Sequence, residues 1–489
     1  MSELVHGRSR VYARDKLEIY DMAKAATQAR DSALRSIPSV ERILSSWTPL
    51  VEAFGRERVK DHVVEYLGAL RSSHSPYDEA AARDAIGATL ATATSSTLRR
   101  VINASGVIIH TNLGRAPIDE AIWAQAEEIV SGYSNLEFDL ERGERGARDE
   151  HLTAICKSLF GCEAAVLTNN NAAGTMLTLA AVAAGKEVLV SRGELVEIGG
   201  AFRVPDVIQQ GGAKLHEVGT TNRTRTRDYA AAISKKTAAI LRVHRSNFDI
   251  VGFTETPPIA ELVGVVRASG APLGGGAPEA RTTRRKRIPL LYDEGSGRIV
   301  DLARYGFASA PTIRELIAGG VDAVTCSTDK LIGATQGGLI IGSEAIIGRI
   351  RKHPLMRALR VGKETYAVVA ATLRAFATEK HEERIPIYRM LATPLDTLRA
   401  RAESLTRDTN ARVIESQCAL GGGTTPTETI PSIAIEVAGN ANELYARFLR
   451  ESIVGRIVND RFTLEVRTLL GPDLPRCQKA LSESARATR

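Results

Sequence analysis

From Val101 onward short apolar runs alternate with helical stretches, and this rhythm limits the possible folds more than any other feature of the chain. EAAVLTN leads into a small-residue helix from Ala172. KEVLVS and KLHEVG follow, then RDYAAAIS, TAAILRVH, PPIAELVGVVRAS, IPLLYD, DAVTCS and GGLIIG. Strand-like runs of about 4–8 residues separated by helical patterns predict βαβ units, hence a mostly parallel central sheet with helices on both faces. Ligands in such sheets sit beyond the carboxyl ends of the strands, so the residues that close each run are the first candidates for chemistry.

The flanks follow other patterns. VERILSSWTPLVEAFGRERVKDHVVEYLGALRSS repeats apolar residues at the helical period, so residues 1–95 are expected to form a small helical domain. The polar run from Ala91 to Thr97 reads as a linker or as the end of a helix. Beyond about Glu364, ETYAVVAATLRAFATEKHEERI predicts one long helix, and SIAIEVA and GRIVNDRFTLEVRTLL predict a smaller α+β domain. The expected division is 1–95, 96–365 and 366–489, since 489 residues exceed what one core usually holds. The glycine-rich and basic segment from Gly274 to Arg287 interrupts the core and reads as an exposed loop.

Composition narrows the class. Hydrophobic residues at 44% and charged residues at 25% belong to a globular chain, not to a disordered or fibrous one. The first residues are charged, and no stretch approaches about 18 uncharged apolar residues, so no membrane segment and a cytoplasmic location are expected. Cys156, Cys162, Cys326, Cys418 and Cys477 are scattered without ligand spacing, which supports neither a disulfide framework nor a metal site. Lys and Arg total 64 against 57 Asp and Glu, a net +7. That bias suits a polyanion such as RNA and equally a solvated surface.

Three strand ends carry chemistry. DAVTCS runs into Thr328-Asp329-Lys330, where burial can lower a lysine's pKa and make it a competent amine for Schiff-base chemistry. Asp293 closes IPLLYD. A carboxylate there can cap the following turn, or serve the pyridinium nitrogen of pyridoxal phosphate (PLP). Asn169-Asn170-Asn171 precede Ala172 and Ala173, and small side chains at a helix start leave N–H groups for a phosphate, to which Ser327 could add its hydroxyl. Simple N-capping is the other use of those asparagines. A strand-end aspartate, a small-residue helix start and a later strand-end lysine follow the order of parts in the aspartate-aminotransferase-like PLP fold (fold type I), a mostly parallel α/β architecture.

The chain resembles the bacterial selenocysteine synthase family, the L-seryl-tRNA(Sec) selenium transferases. The resemblance is carried by VINASGVIIHTNLGRAP (101–117), SNLEFDLERGERGAR (134–148), LTNNNAAG (167–174), SRGELVEIGGAFRVPD (191–206), EVGTTNRT (217–224), SNFDIVGFTE (246–255), STDKLIGATQGG (327–338) and RALRVGKET (357–365). It implies that Lys330 binds PLP and then acts as a base on seryl-tRNA(Sec). Loss of the β-hydroxyl would give a dehydroalanyl-tRNA, and selenium from selenophosphate would add to it, yielding selenocysteinyl-tRNA(Sec) for selenoprotein synthesis. It also implies a catalytic place for Asp329, PLP contacts from Asp293, Asn171, Ala172, Ala173 and Ser327, and anion binding by Arg115, Arg357 and Arg360. The three-residue spacing of the last two would place them on one helix face. Arg142, Arg145 and Arg148 form a further basic set that fits a salt-bridge or subunit-contact loop as well as a catalytic one. The helical N-terminal domain would serve tRNA recognition, and the assembly would be a homodecamer or another large homo-oligomer.

Departures from the family pattern fall at Thr328, Ala334-Thr335, Gly362 and Glu294, the first and last expected beside the cofactor. A PLP lyase acting on a small amino sugar acid or amino acid is the alternative enzyme, and the N-terminal helices argue against it. A non-catalytic RNA-binding descendant would have no reason to keep Lys330, Asp293 and the three arginines.

Overall fold

The structure, a computed structural model, describes residues 35–199, 202–270 and 287–487, with Met22 and Lys24. It divides into two compact units, Met1–Arg100 and Val101–Arg489.

The first unit is helical. Helices α1 (Val40–Ser46), α2 (Thr48–Phe54), α3 (Arg56–Ser73) and α4 (Glu79–Thr94) follow one another. Ser39 and Asp78 start α1 and α4 by accepting from the N–H groups of Arg42 (3.3 Å) and Ala81 (2.9 Å). Val59, Val63 and Leu67 of α3 and Ala82, Ile86 and Leu90 of α4 recur every fourth residue, and all are buried around Trp47. Each buried Val or Leu contributes about 1.5–3 kcal/mol. The polar run that reads as a linker is in its first part helix: the Thr92 and Thr94 hydroxyls bond back to the carbonyls of Ala88 (2.8 Å) and Leu90 (2.7 Å), which satisfies them inside the last turn of α4.

The second unit is built on a seven-stranded sheet. Its strands are β1 (Ala164–Thr168), β2 (Glu187–Ser191), β3 (Lys214–Val218), β4 (Thr237–Val243), β5 (Leu290–Gly295), β6 (Ala323–Ser327) and β7 (Gly338–Gly342), in spatial order β1-β7-β6-β5-β4-β2-β3. β7 runs antiparallel to both its neighbours, and every other pair is parallel. Interior strands β6 and β7 are buried at every residue, as coverage of both faces demands. Edge strand β3 keeps Lys214 and Glu217 in solvent, which discourages pairing with another chain. The register sets Asp293 opposite Val243 on one side and Thr325 on the other, so the ends of β4, β5 and β6 lie together.

A four-stranded antiparallel sheet follows, from β8 (Arg412–Gly421), β9 (Thr425–Val437), β10 (Arg456–Val458) and β11 (Arg461–Glu465), in order β8-β9-β11-β10. Ile433, Ile435, Phe462 and Leu464 pack with Leu398, Leu405 and Phe448 from flanking helices. The single long helix expected over 364–385 is two pieces, Lys363–Ala377 and His381–Arg384. Glu379 takes φ 58° between them, a left-handed turn no continuous helix accommodates. Residues 271–286, which hold the basic loop except Arg287, lie outside the described residues. Arg287 itself pairs with both oxygens of Asp322 (2.8 and 3.1 Å). Among the described residues no helix is long and apolar enough to cross a membrane.

Candidate active site

β6 ends at Ser327, and the chain turns so that Lys330 enters a cavity of about 280 Å3 beyond the strand ends. Lys330 is 8% exposed, and its Nζ donates to the carbonyls of Gly295 (3.1 Å) and Gly423 (3.2 Å). Gly423, in the turn between β8 and β9, has φ 85°, which favours glycine, and a Cβ there would stand 2.7 Å from Nζ and push the amine from its place. Burial, and after it the charge of Arg115, lowers the Lys330 pKa against the opposing pull of Asp293 and Asp329. Asp293 is 5% exposed; it accepts from Asn171 Nδ2 at Oδ1 (2.8 Å) and from Thr175 Oγ1 at Oδ2 (3.2 Å). Burial raises its pKa, and the Asn171 bond and the Lys330 charge restrain the rise.

Helix α5 (Asn171–Ala183) begins at the same end of the sheet. Asn170 caps it, accepting from Ala173 N (2.9 Å). The Ala173 N–H expected to serve a phosphate is therefore engaged in the cap. The first-turn N–H groups of Asn171 and Ala172 have no partner among the described residues and remain for an anion. Asn171 contributes its side chain to Asp293, and its Oδ1 is buried without a partner.

This donor set fits PLP. A buried amine, a buried carboxylate held by neutral donors, a helix start with two open N–H groups and the neighbouring Ser327 border one cavity, and an unpaired buried oxygen marks room for a further polar group.

Arg115 reaches the cavity from another direction. It follows Gly114 in a tight turn, its N–H donates to His110 O (2.9 Å), and its backbone takes φ 65°, uncommon for a side-chain-bearing residue. Its guanidinium pairs with the Asp329 carboxylate through Nη1. Ala116 N adds a bond to Asp329 O (3.2 Å).

Arg357 and Arg360 do not border this cavity, and they do not share a helix face. α6 (Leu355–Leu359) ends before Arg360, whose extended backbone (φ −70°, ψ 149°) bridges to Thr168 at the end of β1. Arg357 is exposed, whereas Arg360 pairs with Glu137 (3.1 Å). Two departures from the family pattern, Glu294 and Thr328, stand next to residues that line the cavity without lining it themselves. Glu294, next to Asp293 on a strand, points to the opposite side and accepts from Ser296 Oγ and Gly297 N, closing the turn after β5. Thr328 donates to Thr335 O (2.6 Å) and is fully buried. Gly362 precedes α7 (Lys363–Ala377) as its N-cap.

Sequence reasoning missed three neighbours of the cofactor cleft. His244 borders the cavity with Nε2 3.3 Å from Thr424 O, and its signal was available as the last residue of the run TAAILRVH. Gln336 borders it through the glycine-rich turn after Lys330. Thr175 is a helix residue without a sequence signal, because only the fold brings it to Asp293.

The sheet order, the strand-end lysine and the strand-end aspartate define a fold-type-I pyridoxal phosphate enzyme. Residues 101–470 match the family model of L-seryl-tRNA selenium transferase. The L-seryl-tRNA(Sec) selenium transferase of Geobacter sulfurreducens is 42% identical over 472 residues, covering 92% of this chain and 98% of its own. That of Geobacter metallireducens is 41% identical over 473 residues, with the same coverage of 92% and 98%. This chain belongs to the L-seryl-tRNA selenium transferase family. Among solved structures, D-glucosaminate-6-phosphate ammonia-lyase aligns over 80% of this chain and 96% of its own with a TM-score of 0.57 at 21% identity, a likeness of fold alone.

Proposed function

We propose that this protein converts L-seryl-tRNA(Sec) to L-selenocysteinyl-tRNA(Sec), with PLP as cofactor and selenophosphate as selenium donor. The observation that carries this reading is the meeting of Lys330 and Asp293 in one buried cavity, on a chain of this family. PLP bound there supplies an electron sink that acidifies the seryl Cα proton and lets the β-hydroxyl depart. Lys330 Nζ, its pKa lowered by burial and by Arg115, is suited to hold the cofactor and then to take the Cα proton. Asp293 stands to bond the ring nitrogen, kept in place by Asn171 and Thr175. The Asn171 and Ala172 N–H groups and Ser327 are the phosphate donors in this reading. Asp329 fixes Arg115 toward the cavity mouth, and Arg115, Arg357 and Arg360 serve the oxyanion.

The same reading assigns residues 1–95 to tRNA recognition, 96–365 to the cofactor-binding core and 366–489 to the smaller C-terminal part, with α7 running across the second boundary. It includes a large homo-oligomer such as a decamer and a cytoplasmic location. The test is conversion of seryl-tRNA(Sec) by purified protein with PLP and selenophosphate, with other seryl-tRNAs and free serine as controls. Product from seryl-tRNA(Sec) alone is expected; turnover of free serine with none of the tRNA would replace this reading by that of a small-molecule lyase.

A further inference from the structure

Three guanidinium groups converge on one carboxylate beside the end of β1. Glu137 Oε1 accepts from Arg148 Nε (2.5 Å) and Arg360 Nη1 (3.1 Å), and Oε2 accepts from Arg145 Nη2 (3.0 Å). Arg148 is held further by its Nη1, which donates to Val361 O (2.6 Å). The segment carrying Arg360 is pinned to the start of α5: Arg360 bridges to Thr168, and Asn169 N donates to Leu359 O (2.9 Å). Asn170 and Asn171, which follow directly, border the cofactor cavity. Arg145 and Arg148, whose part was open on sequence alone, thus join Arg360 in one cluster.

Three guanidinium groups share the single Glu137 carboxylate beside a helix N-terminus, so that carboxylate alone does not meet their donor capacity and donors remain for a further anion. The Arg148 bond and the surrounding charges hold the Glu137 carboxyl below its usual range, so it stays ionised as the anchor. The contact with Arg360 is end-on. Only Nη1 is engaged, and the Nε–Nη2 edge, which matches two oxygens of an oxyanion at once, has no partner among the described residues. A carboxylate competing for the anion's place would occupy that edge; Glu137 leaves it open and immobilises the group from behind. An arginine already fixed in this way loses less freedom when an anion arrives.

We propose that Glu137 is a positioning residue for the selenium donor: it holds Arg360, with Arg148 alongside, so that the open edge of Arg360 grips a tetrahedral phosphate-type anion. This rests on the reading that Arg360 serves selenophosphate.

The experiment measures KM for selenophosphate and kcat at saturating seryl-tRNA(Sec) for the wild type, Glu137→Gln, Glu137→Asp and Arg360→Ala, with bound-cofactor absorbance and melting temperature for each. Glu137→Gln is expected to raise KM about tenfold with kcat and cofactor absorbance close to wild type, the loss of about one charge-assisted contact. Glu137→Asp keeps the charge on a shorter arm and should recover part of the loss. If Glu137→Gln lowers the melting temperature, the aspartate variant decides: a KM between those of wild type and Gln variant supports positioning, and a KM equal to the Gln variant's overturns it. An unchanged KM in Glu137→Gln overturns the proposal, and so does a lower one, which would make Glu137 a competing counter-ion. An unchanged KM in Arg360→Ala instead removes the reading of Arg360 itself, so the two failures are distinguishable.

Discussion

Two buried charged groups belong to the same sheet, one on β4 and one just past β6 with β5 between them, and they are treated in opposite ways. Arg242 of β4 is closed: its Nε donates to Glu194 Oε1 (2.7 Å), its Nη1 to Pro257 O (3.0 Å), and the other Glu194 oxygen accepts from Val243 N (3.1 Å). Lys330, just past β6, is left open. Among the described residues its amine has two carbonyls for partners, and the nearby Asp293 carboxylate is held by the neutral groups of Asn171 and Thr175. A buried ion pair in which both partners are hydrogen-bonded cannot change protonation cheaply and serves as a fixed joint. A buried amine without an anion in contact is a reagent. Lys330 borders the cavity whereas Arg242 and Glu194 do not, so one sheet holds shape and chemistry at separate places.

The comparison breaks most visibly at Lys330. Lys330→Ala is expected to abolish both cofactor absorbance and turnover, while the cofactor-free protein unfolds close to the wild-type temperature, since no ion pair is lost. Spectra, turnover and thermal unfolding of the cofactor-free protein check this, and retained turnover would remove Lys330 from the chemistry. Glu194→Gln should do the reverse. It leaves the Arg242 charge buried without its counter-ion, at a cost of about 3–5 kcal/mol in stability. Denaturant unfolding of the cofactor-free protein reads that loss, and a change within about 0.5 kcal/mol would mean that the joint is dispensable.

The same contrast explains what could be read from the sequence. The strands were legible because β1, β6 and β7 are continuous apolar runs bounded by turns. Lys330 and Asp293 stood out because strand ends in a parallel sheet face one crevice, a rule needing no knowledge of packing. The part of Asn171 was not legible: its amide meets Asp293 across 122 residues of chain, and nothing local distinguishes that use from a cap or a phosphate donor. Periodicity also failed at Arg360, because a helical spacing predicts a shared face only while the helix lasts, and the pairing with Thr168 ends α6 first. Glu294 and Asp293 are adjacent in sequence yet serve opposite sides, as alternation along a strand requires. The triple convergence on Glu137 combines a hairpin segment with the end of α6, a meeting only the tertiary fold creates.

The finest distinction between joint and reagent lies in what tunes the open amine. Burial is the first cause that lowers the Lys330 pKa, and the guanidinium of Arg115 is the second. Lys330 acts as a base only when neutral, so the rate of the proton-abstraction step climbs as pH rises through its pKa. Arg115→Ala removes a positive charge that disfavours the protonated amine and frees the Asp329 carboxylate, which favours it. Both changes have the same sign: the Lys330 pKa rises, and the acid limb of the profile moves to higher pH. Arg115→Lys keeps the charge and should leave the limb nearer its wild-type position. The step to follow is single-turnover loss of the seryl β-hydroxyl without selenophosphate, so that any part Arg115 plays in anion binding does not enter. A limb that stays in place in Arg115→Ala would assign the tuning to burial alone and reduce the strained turn at Arg115 to holding Asp329.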